Sequence, residues 1–207
     1  MKRLPLVAVA LAVSGSVIAA CGDDDPAEDT LAPVATSPGT AATDAPSATS
    51  GVTFNDADVT FAQGMIAHHQ QAIEMAEIAL DPTVAASADV VDLATRIQGA
   101  QDPEITLMTG WLEAWGQPVQ MNTSDGHEMS SMEGMMTAEE MDELGATTST
   151  EFDQMWMEMM IRHHEGAIAQ SNAVKAEGSN PDVLALADQI IAAQSQEIEE
   201  MQALLAG

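Results

Sequence analysis

The sequence predicts an all-α protein, a four-helix bundle (ferritin-like) from two repeated helical hairpins, and three observations lead there. Apolar residues recur at helical spacing in four long segments. Two stretches repeat: MIAHHQQAI (65–73) aligns with MIRHHEGAI (160–168) at an offset of 95, and LATRIQGAQDPEITLMTGWL (93–112) aligns with LADQIIAAQSQEIEEMQALL (186–205) at an offset of 93, with nine identities in twenty. A β-fold has little support, because the chain has no tyrosine and its β-branched residues do not alternate. One hairpin cannot cover its own apolar stripe, whereas two stacked hairpins can.

Of the 207 residues, 1–20 read as an export signal and not as part of the fold. Lys2 and Arg3 precede the apolar run LPLVAVALAVSGSVIAA, and Ile18-Ala19-Ala20-Cys21 follows. That ending resembles a bacterial lipoprotein signal, so Cys21 is the expected lipidation site and the chain is expected to be extracytoplasmic, lipid-anchored on the bacterial cell membrane. As the single cysteine, Cys21 supports neither a disulfide framework nor a thiolate cluster. Residues 21–53, rich in Asp, Pro, Ala, Ser, Thr and Gly, are expected to form a disordered acidic tether.

Without the signal, Arg96, Arg162 and Lys175 face 33 acidic residues, a net charge near −30. Nucleic acid is excluded as a partner, because a phosphate backbone needs a basic footprint. Such a surface keeps a domain soluble and favours metal ions as partners. Nothing in the sequence identifies a protein partner.

The bundle domain spans 54–207, with an insertion at 117–150. The first helix is capped by Asn55 or Asp56 and stopped at Asp81-Pro82. The second runs from about Ser87 to Trp115, and Pro103 should kink it. In the insertion, Thr137-Ala-Glu-Glu140 has capping-box spacing and starts a short helix to about Leu144. The last two long helices cover about 151–176 and 181–205.

Four of the five histidines form two adjacent pairs at repeat-equivalent positions, His68-His69 and His163-His164. At about 100° per residue, Met65 falls angularly between His68 and His69, one turn earlier on the core side, and Met160 repeats the arrangement. Each hairpin thus gathers two imidazoles and a thioether within one turn. The partner helices place Glu104 and Met108, and their copies Glu197 and Met201, on the facing apolar stripes. A buried carboxylate needs a compensating partner. With three basic residues available, that partner is a histidine or a bound cation. The bland alternative is a set of hydrogen-bonded core histidines with methionine filling gaps.

If a metal is held, ligand softness points to copper, Cu(I) or Cu(II): imidazole with thioether and no thiolate suits it, whereas zinc seldom recruits methionine. A di-iron site needs Glu-x-x-His motifs that are absent here. Residues 121–141 carry six methionines and His127. That stretch reads as too polar for core, which makes His127, Met129 and Met132 secondary ligand candidates.

The stretches Phe61-Ala-Gln-Gly-Met-Ile-Ala-His-His-Gln-Gln-Ala-Ile-Glu-Met-Ala and Met160-Ile-Arg-His-His-Glu-Gly-Ala-Ile resemble the two signature helices of the family named for domain of unknown function 305. The resemblance covers about residues 54–206. It implies a ferritin-like four-helix bundle and a secreted or membrane-tethered bacterial protein, and some members are associated with copper binding and resistance. Carried over by position, it supports Met65, His68, His69, Met160, His163 and His164 as ligands. Two copy differences, Pro103 against Gln196 and Met75 against Gln170, allow the two sites to be unequal.

The function expected from these residues is copper sequestration or buffering without catalytic turnover. A metal-dependent oxidoreductase and an envelope interaction module with purely structural His-Glu pairs are the alternatives. Because imidazole must be neutral to bind, affinity should fall below about pH 6.5, the ordinary histidine pKa.

Overall fold

A computed structural model of the chain describes residues 53–121 and 132–207. They belong to one compact unit, Ala48–Gly207. The expected signal segment, Cys21, the tether up to residue 52, His127 and Met129 lie outside the described residues.

Among the described residues the elements are α1 (Asp56–Leu80), α2 (Ala88–Ala114), α3 (Ala138–Ala146), α4 (Ser149–Glu177) and α5 (Pro181–Ala206), with no strand. The two hairpins are α1–α2 and α4–α5. They meet through α1 and α4, and the short α3 rests against both.

The caps explain the boundaries. Asn55 accepts from the Asp58 amide while Asp58 accepts from Asn55, and Thr137 and Glu140 form the same reciprocal box before α3. Ser87 caps α2, and Asn180 caps α5 with Pro181 in its first turn. Helix α4 starts two residues earlier than the sequence suggests. Its first residue, Ser149, has φ +60° and donates its amide to the Val84 carbonyl at 2.7 Å, which fixes the start by a tertiary bond. Helix α2 continues through Pro103 to Ala114.

The core is divided in two. One apolar cluster contains Met75, Leu93, Ile97, Phe152, Trp156 and Met160; the other contains Phe61, Met65, Met108, Leu112, Val174 and Leu186. Along α1 the second cluster occupies 61–66 and the first begins at Ala72, and α4 passes from Met160 to Ala167 in the opposite order. Between them, on every long helix, lies polar sequence: His68 and His69, Gln101, His163 and His164, Gln194. All six are buried. The bundle therefore carries a polar layer across its middle, where an apolar filling would be more stable unless the layer has a use.

Asp58, fully buried, ties the start of α1 to the turn between α4 and α5. It accepts from the amides of Ser179 and Asn180 and from the Ser179 hydroxyl at 3.0–3.3 Å. The three basic residues of the bundle make ion pairs with carboxylates other than Glu104 and Glu197: Arg96 with Asp92 and Glu200, Arg162 with Glu140, Lys175 with Asp188. The inner carboxylates are left to histidine, as the sequence argument requires.

Candidate metal centre

Each histidine pair divides its work. His69 Nε2 lies 2.6 Å from Glu104 Oε2, and His164 Nε2 lies 2.7 Å from Glu197 Oε2. An ionised carboxylate only accepts, so in the neutral ring Nε2 carries the hydrogen and the lone pair is left on Nδ1. Both Nδ1 atoms are buried and have no hydrogen-bond partner among the described residues. A carboxylate that orients an imidazole so that its other nitrogen is free is the arrangement found behind metal-ligating histidines. Glu104 and Glu197 are thus placed to orient the imidazoles, each through one carboxylate oxygen. Pro103, one residue from Glu104, has not displaced it.

His68 and His163 are the other members of the pairs. Their rings face each other across the α1–α4 contact, with centroids 3.7 Å apart and planes at 43°. Among the described residues neither ring nitrogen of either residue makes a hydrogen bond of acceptable geometry, although the Glu133 backbone lies near His68 and the His68 backbone near His163. Burial, aided by repulsion from His69 and His164, pushes the His68 pKa down to about 3; the backbone at Glu133 opposes this only in part. His163 is also held well below its ordinary value, first by burial and then by His68, His164 and His69. Both rings are therefore neutral at physiological pH and keep their lone pairs.

The sulfur donors come to the same depth. Met65, Met108, Met160 and Met201 are fully buried, as are all four histidines. Among the described residues no group of three or more His, Cys, Asp or Glu converges as a ready metal cluster. Any ion held here needs the thioethers or a shift of the rings. Two nitrogens about 2.0 Å from one tetrahedral ion would place the ring centroids about 5 Å apart. The His68–His163 pair must therefore open before both rings can share an ion.

A family model for the domain of unknown function DUF305 matches residues 58–205. The chain belongs to the DUF305 family. Solved structures agree. A DUF305 protein assigned as secreted, from Streptomyces coelicolor, is 30% identical with a TM-score of 0.66, covering 72% of this chain and 92% of that one. A DUF305 fragment from Deinococcus radiodurans is 31% identical with a TM-score of 0.65, covering 73% and 97%. CopM in its Cu(II)-bound form is 33% identical with a TM-score of 0.59, covering 72% and 95%, and CopM is also known in Cu(I)-bound, Ag-bound and apo forms. No curated protein matches the chain.

In this DUF305 chain the insertion is not wholly outside the core. Met136 and Met141 are 2% and 8% exposed and join the first apolar cluster, correcting the reading of 121–141 as too polar to pack. The reason is a strap over the polar layer. The Gln71 side chain clamps Met136, donating to its carbonyl at 2.9 Å and accepting from its amide at 2.7 Å. At Gly134 (φ +84°) the strap crosses α4 so closely that a Cβ on Gly166 would lie 2.1 Å from the Glu133 carbonyl oxygen. Met132 is partly buried beside Gly64, away from the histidines' turn.

Gln71, Gly64, Gly166 and Asp58 are the residues that sequence reasoning passed over. For the first three the signal was present in the repeat, whereas Asp58 is matched by Asp153 and gave none. Gly64 aligns with Met159, Gln71 with Gly166 and Met75 with Gln170, and three breaks in a close repeat mark where something besides the partner hairpin is contacted.

Proposed function

We propose that this protein is an extracytoplasmic copper-binding protein, held to the membrane by lipid on Cys21, that sequesters or buffers copper without turnover. The observation that carries the reading is the polar layer: six buried imidazole nitrogens without a partner among the described residues, on four histidines, flanked by Met65, Met108, Met160 and Met201. An unpaired buried polar group costs roughly 1–3 kcal/mol, so a layer of six is an unusual concentration of unmet bonding in one small bundle. Neutral imidazole and thioether are the donors Cu(I) prefers, and Cu(II) also accepts imidazole. Copper-bound CopM, with the same fold, supports copper as the ion.

Binding divides by residue. His69 and His164 offer Nδ1 while Glu104 and Glu197 hold the rings and supply negative charge. His68 and His163 offer nitrogens that are already neutral, and the methionines supply polarizable sulfur. The pH expectation taken from free imidazole changes accordingly. Proton competition at His68 and His163 sets in well below pH 6.5, so part of the site stays available in mildly acidic surroundings. Among the described residues no helix is long and apolar enough to cross a membrane; the attachment proposed is the lipid on Cys21.

A purely structural reading accounts for the His69–Glu104 and His164–Glu197 bonds, though not for the unpartnered Nδ1 of either ring. It does not account for His68 and His163. Titration of metal-free protein with Cu(I) against a competing chelator separates the readings. Copper at a hundredfold its dissociation constant should stabilise the folded chain by about 2.7 kcal/mol. A variant with all four histidines changed to glutamine should lose the tight binding; unchanged affinity in that variant would end the proposal.

A further inference from the structure

Beside Gly64, on the α1–α4 face, lies a cavity of about 590 Å³ whose lining the polar layer does not explain. Met121 and Met132, the two residues that bound the segment 122–131, both line it. Their side chains converge on one point: a Cβ on Gly64 would stand 3.0 Å from Met121 Cε, 3.8 Å from Met132 Sδ and 3.1 Å from Gln170 Oε1. Gln170 Nε2 is buried there without a partner among the described residues. Asp56, Glu133 and Glu177 also line the cavity, and among the described residues no lysine, arginine or histidine does.

From this arrangement we infer that the cavity is a second binding site, for a soft monovalent cation of the Cu(I) or Ag(I) type, with the Met121 and Met132 sulfurs as its ligands. The inference rests on the copper reading of the layer for the identity of the ion, and on separate residues for the site. Thioethers are neutral, polarizable donors that select soft ions, so a hard divalent cation would gain little from two sulfurs on a mostly apolar wall. Three carboxylates, with no base among the described lining residues, disfavour an anion and raise the local cation concentration.

The repeat shows that the space is built. The second hairpin has Met159 where the first has Gly64, and Met159 is packed into apolar core. A methionine at 64 would fill the cavity. The neighbouring exchange, Gln170 where the first hairpin has the core residue Met75, places a polar amide on the opposite wall. Gly64 immediately precedes Met65, so the cavity adjoins the first hairpin's buried donor set.

The test is Ag(I) binding to the full chain, counted by native mass spectrometry and titration, because silver is redox-inert. Met121→Leu combined with Met132→Leu keeps volume and removes both sulfurs, a swap that cores usually tolerate. This variant should bind one Ag(I) fewer than the parent, or bind one ion at least tenfold more weakly, with its metal-free melting curve unchanged. Gly64→Met, which copies the second hairpin into the first, should cause the same loss by filling the space. Changing His68 and His163 to glutamine should leave this ion in place while weakening the interior one. Parental stoichiometry and affinity in the double leucine variant would overturn the inference. Unaltered binding in the histidine variant would instead count against the layer, so the two failures are told apart.

Discussion

In the α1–α2 hairpin His69 leans on Glu104 at 2.6 Å, and in the α4–α5 hairpin His164 leans on Glu197 at 2.7 Å. Gln101 and Gln194 are equally buried, and the four layer methionines are all sealed from solvent. The hairpins part company a few residues away. Gln71 in one copy clamps the strap by side-chain hydrogen bonds, whereas Gly166 in the other lets the strap backbone pass against the helix. Where the copies agree, they face each other across the layer. Where they differ, they hold the connection that only one of them precedes. Duplication has kept the buried polar set and released the residues around it.

That contrast can be broken most severely by acid. His68 and His163 are neutral when folded, but their unfolded counterparts take up protons below pH 6.5. The unfolded state therefore binds more protons between about pH 3 and 6.5, and stability must fall as pH falls through that window. For His68 the loss reaches about 2 kcal/mol by pH 5, at about 1.4 kcal/mol per pH unit, and His163 adds in the same direction. Urea melts of metal-free protein at pH 7 and pH 5 measure it. If the copies are equivalent, His68→Leu and His163→Leu each remove a similar share of the acid sensitivity.

Next in size is the pair of glycines. Gly166→Ala drives a methyl group into the Glu133 backbone and should cost about 3 kcal/mol, toward the upper end for overpacking. Gly64→Ala meets only the flexible ends of Met121 and Gln170 and should cost under about 1 kcal/mol. Thermal melts of the two variants compare them directly, and equal losses would remove the distinction between strap crossing and cavity floor. Gln71→Ala falls between, at about 1–2 kcal/mol for two lost hydrogen bonds.

The smallest effect separates the two glutamates. The Glu104 side chain is 22% exposed and that of Glu197 is 14%. Glu197→Gln should therefore destabilise slightly more than Glu104→Gln, each by about 1 kcal/mol, because the charge-assisted bond is less screened where burial is deeper. Denaturation of the two single variants at pH 7 gives the order.

Much of this was readable from the chain. Helical spacing and cap residues such as Asn55, Ser87 and Pro181 located the long helices, and the repeat located the layer, because those signals are local. The inward position of His69 and the facing stripe with Glu104 followed from angle alone. What did not follow was anything set by contacts between distant segments. Helix α4 starts at Ser149 because of a bond to Val84. Met136 is core because Gln71 and Gly166 seat a strap that composition marks as polar. The 3.7 Å approach of His68 to His163 depends on how two helices cross, which periodicity does not encode.

Anomalous diffraction from crystals of the copper-loaded chain tests the central claim most directly. The account predicts a copper peak inside the bundle, between the rings of His68, His69, His163 and His164 and within bonding reach of a buried methionine sulfur, with His68 and His163 moved apart. Copper found only on surface carboxylates, with those two rings still 3.7 Å apart and the layer unchanged, would contradict it.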